Sequence, residues 1–238
     1  MPLARSGNRF VAHADMLGMS DVALRDPHLA FAVLSRLSDA KDEILNMGIE
    51  VISSGLVIRD QIEQIIFSDT VVIVTKSDSE ADVYAVTLLC AEFFYRALSY
   101  NVPIRAGVAH GVFLDDPNRN LFVGPPLVNA YRLGESAAWL GIVVDSVTAS
   151  RARAIPLQSD RGKSIIVDYD VPLSSGGKVV RPVVDWVEPH RTHFRMSLPT
   201  SGREFYTFDQ LFGPFDQLPK KIQVKYENTA EFINVPRP

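Results

Sequence analysis

Residues 57–75 read VIRDQIEQIIFSDTVVIVT. Two runs rich in β-branched residues, 57–67 and 70–75, flank Ser68 and Asp69. That pattern predicts a β-hairpin with an acidic tip. On its N-terminal side, Leu29, Val33, Leu34, Leu37, Ile44 and Leu45 recur at helical spacing across 27–47, and Gly48 ends the helix. Before that helix, residues 10–14 (FVAHA) form a short apolar strand that runs into Asp15 and a loop over 16–21. On the other side, 82–100 predicts a second amphipathic helix and 102–114 (VPIRAGVAHGVFL) a strand. Residues 115–120 make a turn and 121–123 a strand. Gly124-Pro125-Pro126 opens a third helix, because proline suits the first helical turn. A buried strand follows at 141–144. The order β-α-β-β-α-β-β-α-β predicts an α+β fold, a mixed and largely antiparallel sheet flanked by helices.

After Ser150 the pattern weakens. Strand-like runs at 164–169 and 178–187 precede a polar, aromatic tail in which FDQL occurs at 208–211 and again at 215–218. Gly213-Pro214 between the two copies forbids a continuous helix. The expected organisation is one catalytic domain over 8–190 and an extension or arm over 191–238, packed on the domain or on a partner chain. Lys220, Lys221 and Lys225 read as a solvated face.

Composition narrows the class. The 238 residues are 47% apolar, enough for a sizeable core, and the net charge of −4 argues against bulk attraction to nucleic acid or an anionic membrane. The single cysteine, Cys90, excludes an intrachain disulfide. Neither a signal peptide nor a membrane-spanning run is apparent, so a cytoplasmic protein is expected.

Two aspartates stand where folding does not require a carboxylate: Asp15 at a strand end and Asp69 on a hairpin tip. Brought together they could hold one or two divalent ions. Alternatively, Asp15 caps a helix and Asp69 shapes a turn. The loop Met16-Leu17-Gly18-Met19-Ser20 precedes a helix, and its backbone N–H groups could cradle phosphate or form an ordinary strand-to-helix turn. Arg105 lies within an apolar strand and Arg132 within a helix. Each guanidinium wants an anion, either a phosphate or a structural carboxylate. His13 and His110 have no metal-ligand spacing.

The blocks FVAHADMLGMSD, FSDTVVIV, VPIRAGVAHGVF and LFVGPPLVNAYRLGE, in that order across 10–150, resemble the class III nucleotidyl cyclases. The resemblance implies a ferredoxin-like core and a homodimer with shared active sites. It implies two Mn²⁺ or Mg²⁺ ions on Asp15, the Met16 carbonyl and Asp69. Phosphates would be bound by Leu17, Gly18, Met19 and Arg105, and Arg132 would act on the transition state from the opposite subunit. The chain departs from the purine cyclases in its base-reading positions. Ile65 replaces the Lys or Glu four residues before the second aspartate, and Leu121 replaces the polar reader three residues before the glycine. Val128 stands where the ribose-orienting asparagine belongs. Asn129 is one step away, about 100° around the helix.

With these departures the chain is similar to the pyrimidine cyclases of the bacterial Pycsar antiphage system. The resemblance implies cyclisation of UTP or CTP to a 3′,5′-cyclic nucleotide second messenger, with Ile65, Phe67 and Leu121 lining the base pocket. An adenylate or guanylate cyclase, or a degenerate nucleotide-binding module, are the alternative expectations.

Overall fold

A computed structural model describes residues 5–45, 49–51, 56–58, 60–155, 164–187 and 209–236. The hairpin that opens the sequence reading is present as β4 (Ile62–Phe67) and β5 (Thr70–Thr75), paired antiparallel. β5 lies against β1 (Arg5–Met16), which is longer than the apolar run because its N-terminal half pairs along β6 (Ile104–Asp116). The other edge of β6 pairs in parallel with β8 (Ile142–Val144), and its distal end pairs with β7 (Leu121–Val123). β10 (Lys178–Val184) and β9 (Ile166–Pro172) close the sheet, whose order is β4-β5-β1-β6-β8-β10-β9. It is a mixed α+β fold with helices on both faces of the sheet. The β4-β5-β1-β6 half has the ferredoxin-like arrangement.

Two local expectations change. The run 57–67 is not one strand: β3 (Leu56–Ile58) leaves the main sheet to pair with β2 (Ile49–Val51), and β4 begins only at Ile62. Asp60, at φ 59°, turns the chain between them. The loop 16–21 is also shorter than expected, because α1 (Met19–Arg25) starts at Met19, which buries its side chain. α2 (Pro27–Leu45) follows; Gly48, expected to end it, lies outside the described residues.

Strand alternation decides which residues serve the core and which the site. On β1, Phe10, Ala12, Ala14 and Met16 enter the main core with α2 and α3 (Glu80–Ser99). Val11 points to the opposite face, as His13 and Asp15 must by the same period. On β6, Ile104, Ala106 and Val108 join the core, so Arg105 and Gly107 take the other face. There α4 (Pro125–Ser136) packs through Pro126, Ala130 and Gly134. Gly107 permits this approach: a Cβ there would lie 2.9 Å from Leu133 Cβ and closer still to the Ala130 carbonyl. α5 (Ser146–Ala154) is capped by Asp145, which accepts from Thr148 N at 2.7 Å and from His110 N at 3.0 Å.

The expected domain boundary near 190 falls outside the described residues. The described part of the tail, α6 (Asp209–Phe212) and α7 (Lys220–Asn234), packs on the main core through Leu211, Leu218, Tyr226, Phe232 and Ile233.

Candidate active site

The ends of three neighbouring strands converge. Asp15 stands opposite Thr70 on β5 and opposite Arg105 on β6. Asp69 follows Ser68, which takes φ 54° to close the β4–β5 turn, and its carbonyl accepts from Met16 N at 3.1 Å. The two aspartates are thereby tied by backbone. Leu17 N donates to Pro103 O at 2.8 Å, and Gly18, at φ 75°, turns the chain into α1.

Arg105 is 7% exposed. One of its terminal nitrogens donates to Asp15 Oδ2 at 3.3 Å and also pairs with the Glu135 carboxylate. The other donates weakly to the Glu135 carbonyl at 3.5 Å, and Nε is buried without a hydrogen-bond partner. Burial pushes the Asp15 carboxyl up, and the charge of Asp69 adds to this while Arg105 opposes it. Burial, and then Arg105, hold His13 below its ordinary value. The His13 ring packs edge-on against Tyr131 at 5.3 Å. Lys225 of α7 is half-buried; its pKa is lowered by burial first and by Arg105 next, against the attraction of Glu135 and Asp15. This departs from the solvated face expected of that lysine. Cys90, fully buried with its thiol pushed up to about 12, carries no chemistry.

One group of expected residues therefore comes together: Asp15, Met16, Asp69, Arg105 and the Leu17-Gly18 turn, with Met19 opening α1. Phe67 borders this group, since it pairs with Thr70, which stands opposite Asp15. Phe67 is 81% exposed, and Ile65 on the same strand face is half-buried against Val11, Val72 and Val74. A second group does not join them within the chain. Asn129 and Arg132 lie on the exposed side of α4. Leu121, 50% exposed, pairs opposite Asp116, eleven positions along β6 from Arg105. That is about 35 Å at strand rise. One chain thus separates Leu121 from the aspartates.

Glu135 was not singled out in the sequence, and Lys225 was read there only as part of a solvated face. Glu135 had a signal: an acid in the last turn of a helix meets the negative end of the dipole and wants a nearby cation. Lys225 had none, since nothing local separates it from the exposed Lys220 and Lys221.

No family model matches the chain, and no curated protein matches it. Among solved structures the chain is similar to the catalytic core of a rhodopsin–guanylyl cyclase with converted specificity, in complex with ATPαS. The TM-score is 0.54 and the identity 16%, over 76% of this chain and 97% of that one. A class III adenylyl cyclase-like ATP-binding protein from Pseudomonas aeruginosa aligns at TM-score 0.43 and 12% identity, over 62% of this chain and 35% of that one. The first likeness establishes the fold of a nucleotide cyclase catalytic core. Among the described residues, no helix is long and apolar enough to cross a membrane.

Proposed function

We propose that the chain is a nucleotidyl cyclase of the class III type, active as a homodimer. Its substrate is a pyrimidine nucleoside triphosphate, UTP before CTP, and its products are the 3′,5′-cyclic monophosphate and pyrophosphate. The observation that carries this is the backbone-tied pair Asp15 and Asp69 beside the buried Arg105, on a cyclase-core fold.

The donor set fits divalent cations. Two carboxylates sit close enough for the charge of Asp69 to raise the Asp15 pKa, and a dication removes that repulsion. Asp15, the Met16 carbonyl and Asp69 would hold two Mn²⁺ or Mg²⁺ ions. Among the described residues no third acidic or imidazole side chain joins them in a cluster. When bound, the ions polarise the ribose 3′-hydroxyl and the phosphoryl oxygens. Arg105 exchanges its contact with Glu135 for phosphate oxygens, which its planar fork suits better than a single carboxylate oxygen. Backbone N–H groups at Gly18 and Met19 complete the seat at the start of α1, while the Leu17 N–H, expected to join them, is engaged by the Pro103 carbonyl. The 3′-hydroxyl, held in line with the α-phosphorus, attacks it and releases its proton to water as the α–β phosphoanhydride bond breaks; pyrophosphate leaves toward Arg105.

The separation of Leu121 from the aspartates supports a shared site. So does the apolar surface left exposed on α4 and the neighbouring β7, Leu121, Val123, Val128 and Tyr131, together with Phe67 at the end of β4. In a two-fold dimer a second chain supplies Leu121, Asn129 and Arg132 to the first chain's Asp15 and Asp69. Arg132 then meets the charge developing on the α-phosphoryl oxygens. Ile65, Phe67 and Leu121 offer the base no side-chain hydrogen bond, so ATP and GTP lose the specific hydrogen bonds by which purines are read. The second-messenger role in antiphage defence rests on the resemblance to the Pycsar cyclases.

A purine cyclase is the second reading, favoured by the ATPαS bound to the similar guanylyl cyclase core. The test offers ATP, GTP, CTP and UTP with Mn²⁺ to the purified protein and identifies products by mass. Cyclic UMP or cyclic CMP as the main product is expected. Predominant cyclic AMP or cyclic GMP returns the purine reading, and nucleotide binding without any cyclic product returns the binding-module reading. Asp15→Ala and Asp69→Asn should each abolish turnover while the fold stays intact.

A further inference from the structure

The C-terminal segment reaches the candidate site from two directions. At one end Leu211 is buried, its carbonyl accepts from the Arg25 guanidinium, and the Phe212 ring lies against Gly18. A Cβ on Gly18 would fall 2.5 Å from the nearest carbon of that ring. The tail is thus seated on the turn that opens α1. At the other end α7 is fastened just beyond Glu135. Asn228 Nδ2 donates to Ala138 O at 2.7 Å, and Thr229 Oγ1 accepts from Leu140 N at 2.8 Å.

Lys225 precedes these two anchors by three and four residues, so it shares their face of α7. Its own carbonyl accepts from Thr229 Oγ1 at 2.7 Å, which holds that turn of the helix. The side chain is half-buried in the company of Arg105, Glu135 and Asp15. Two cations at one partly desolvated place repel unless anions lie between them. Glu135 and Asp15 pair with Arg105 and reach Lys225 only through longer-range attraction, and Arg105 still has an unused buried N–H.

We propose that Lys225 is a phosphate ligand of this site. With Arg105 it forms a two-cation seat for the β- and γ-phosphates of the substrate and for the departing pyrophosphate, delivered by α7, which is anchored at Ala138 and Leu140, while Phe212 of α6 seats the preceding stretch on the turn at Gly18. The inference rests on reading the site as one for a nucleoside triphosphate. It assigns the 211–234 segment a part in the active site rather than that of a passive arm. A doubly charged phosphate group displaces Glu135 from Arg105 and meets the ammonium without further desolvation.

The experiment measures pyrophosphate binding by titration calorimetry with Mn²⁺, which needs no turnover, together with KM and kcat for whichever nucleotide is cyclised. Lys225→Ala should weaken pyrophosphate about 10- to 100-fold, the scale of one charge-assisted hydrogen bond. Lys225→Arg should recover most of the loss, and Lys221→Ala, which removes an exposed charge from the same helix, should change neither measurement. Thermal melting of each variant checks the fold, and Lys225→Gln serves in place of the alanine if that variant is unstable. Wild-type pyrophosphate affinity in a folded Lys225→Ala overturns the proposal, as does equal weakening by Lys221→Ala. If Lys225→Ala loses pyrophosphate while the wild type cyclises no nucleotide, the phosphate site stands and the cyclase reading falls. If the wild type cyclises and Lys225→Ala binds pyrophosphate and turns over unchanged, the cyclase reading stands and the role of Lys225 falls.

Discussion

Replacing Gly107 by alanine tests the contact on which the site depends. Gly107 lies on the β6 face covered by α4, and a Cβ there would stand 2.9 Å from Leu133 Cβ and nearer still to the Ala130 carbonyl oxygen. Ordinary carbon–oxygen contacts begin near about 3.3 Å, so the helix must retreat from the strand. Overpacking of this kind costs about 1–3 kcal/mol, and a backbone obstacle that no rotamer relieves belongs at the upper end. For a chain of this size about 3 kcal/mol corresponds to a melting-point loss of about 6–12 °C. Two neighbouring glycines grade the effect. At Gly111 the nearest atom to a new Cβ is Pro126 Cδ at 3.3 Å, and at Gly134 it is the Ala106 carbonyl carbon at 3.3 Å. Gly111→Ala should stay within about 0.5 kcal/mol. At Gly134 the helix-propensity gain of about 1 kcal/mol offsets the tighter contact. Scanning calorimetry of the three variants provides the measurement. In Gly107→Ala the displaced α4 should also carry Glu135 off Arg105 and Arg132 out of position, so activity falls even where the protein is folded. A Gly107→Ala melting point no lower than that of Gly111→Ala would refute the seating of α4 on β6 and the geometry built on it.

Three further outcomes are expected. Asp145→Ala removes the cap of α5 and the acceptor for His110 N, and should lower the urea midpoint by the equivalent of about 1–2 kcal/mol with an unchanged slope. Hydrogen bonds from Arg5 hold the Glu63 carboxyl below its ordinary value of 4.5. A depressed carboxylate stabilises the fold above the unfolded value, and that contribution is lost as pH falls through the folded value. The pair is well exposed, so the effect is under about 1 kcal/mol: Glu63→Gln should lower the urea midpoint slightly at pH 7 and not at pH 3, and a loss persisting at pH 3 rejects the assignment. Co-expressed Asp69→Ala and Arg132→Ala chains, each inactive alone, should recover about a quarter of wild-type activity, because half of the dimers are mixed and each mixed dimer has one whole site; a purified mixed dimer as inactive as its parents rejects the shared site.

The order of elements was legible in the residues because hydrophobic period, proline and glycine act locally. The β4–β5 hairpin, the Pro27 and Pro125 helix starts and the strand at 121–123 all follow from neighbours a few positions apart. Asp15 and Asp69 were legible for the same reason: each is a carboxylate at an element end where an apolar run stops. The break within 57–67 was not, because β3 and β4 are alike in composition and only their pairing partners differ. What pairs with what was decided by the tertiary structure. Val11 and Phe10 differ little as residues, yet the sheet sends one toward the α4 face and the other into the main core. The surroundings of Arg105 come from Asp15, 90 positions away, Glu135, 30 positions away, and Lys225 on the last helix. No periodicity spans such distances; they are bridged by the burial of Phe232, Tyr226 and Leu211 in the common core, which brings α7 to the site as a consequence of packing.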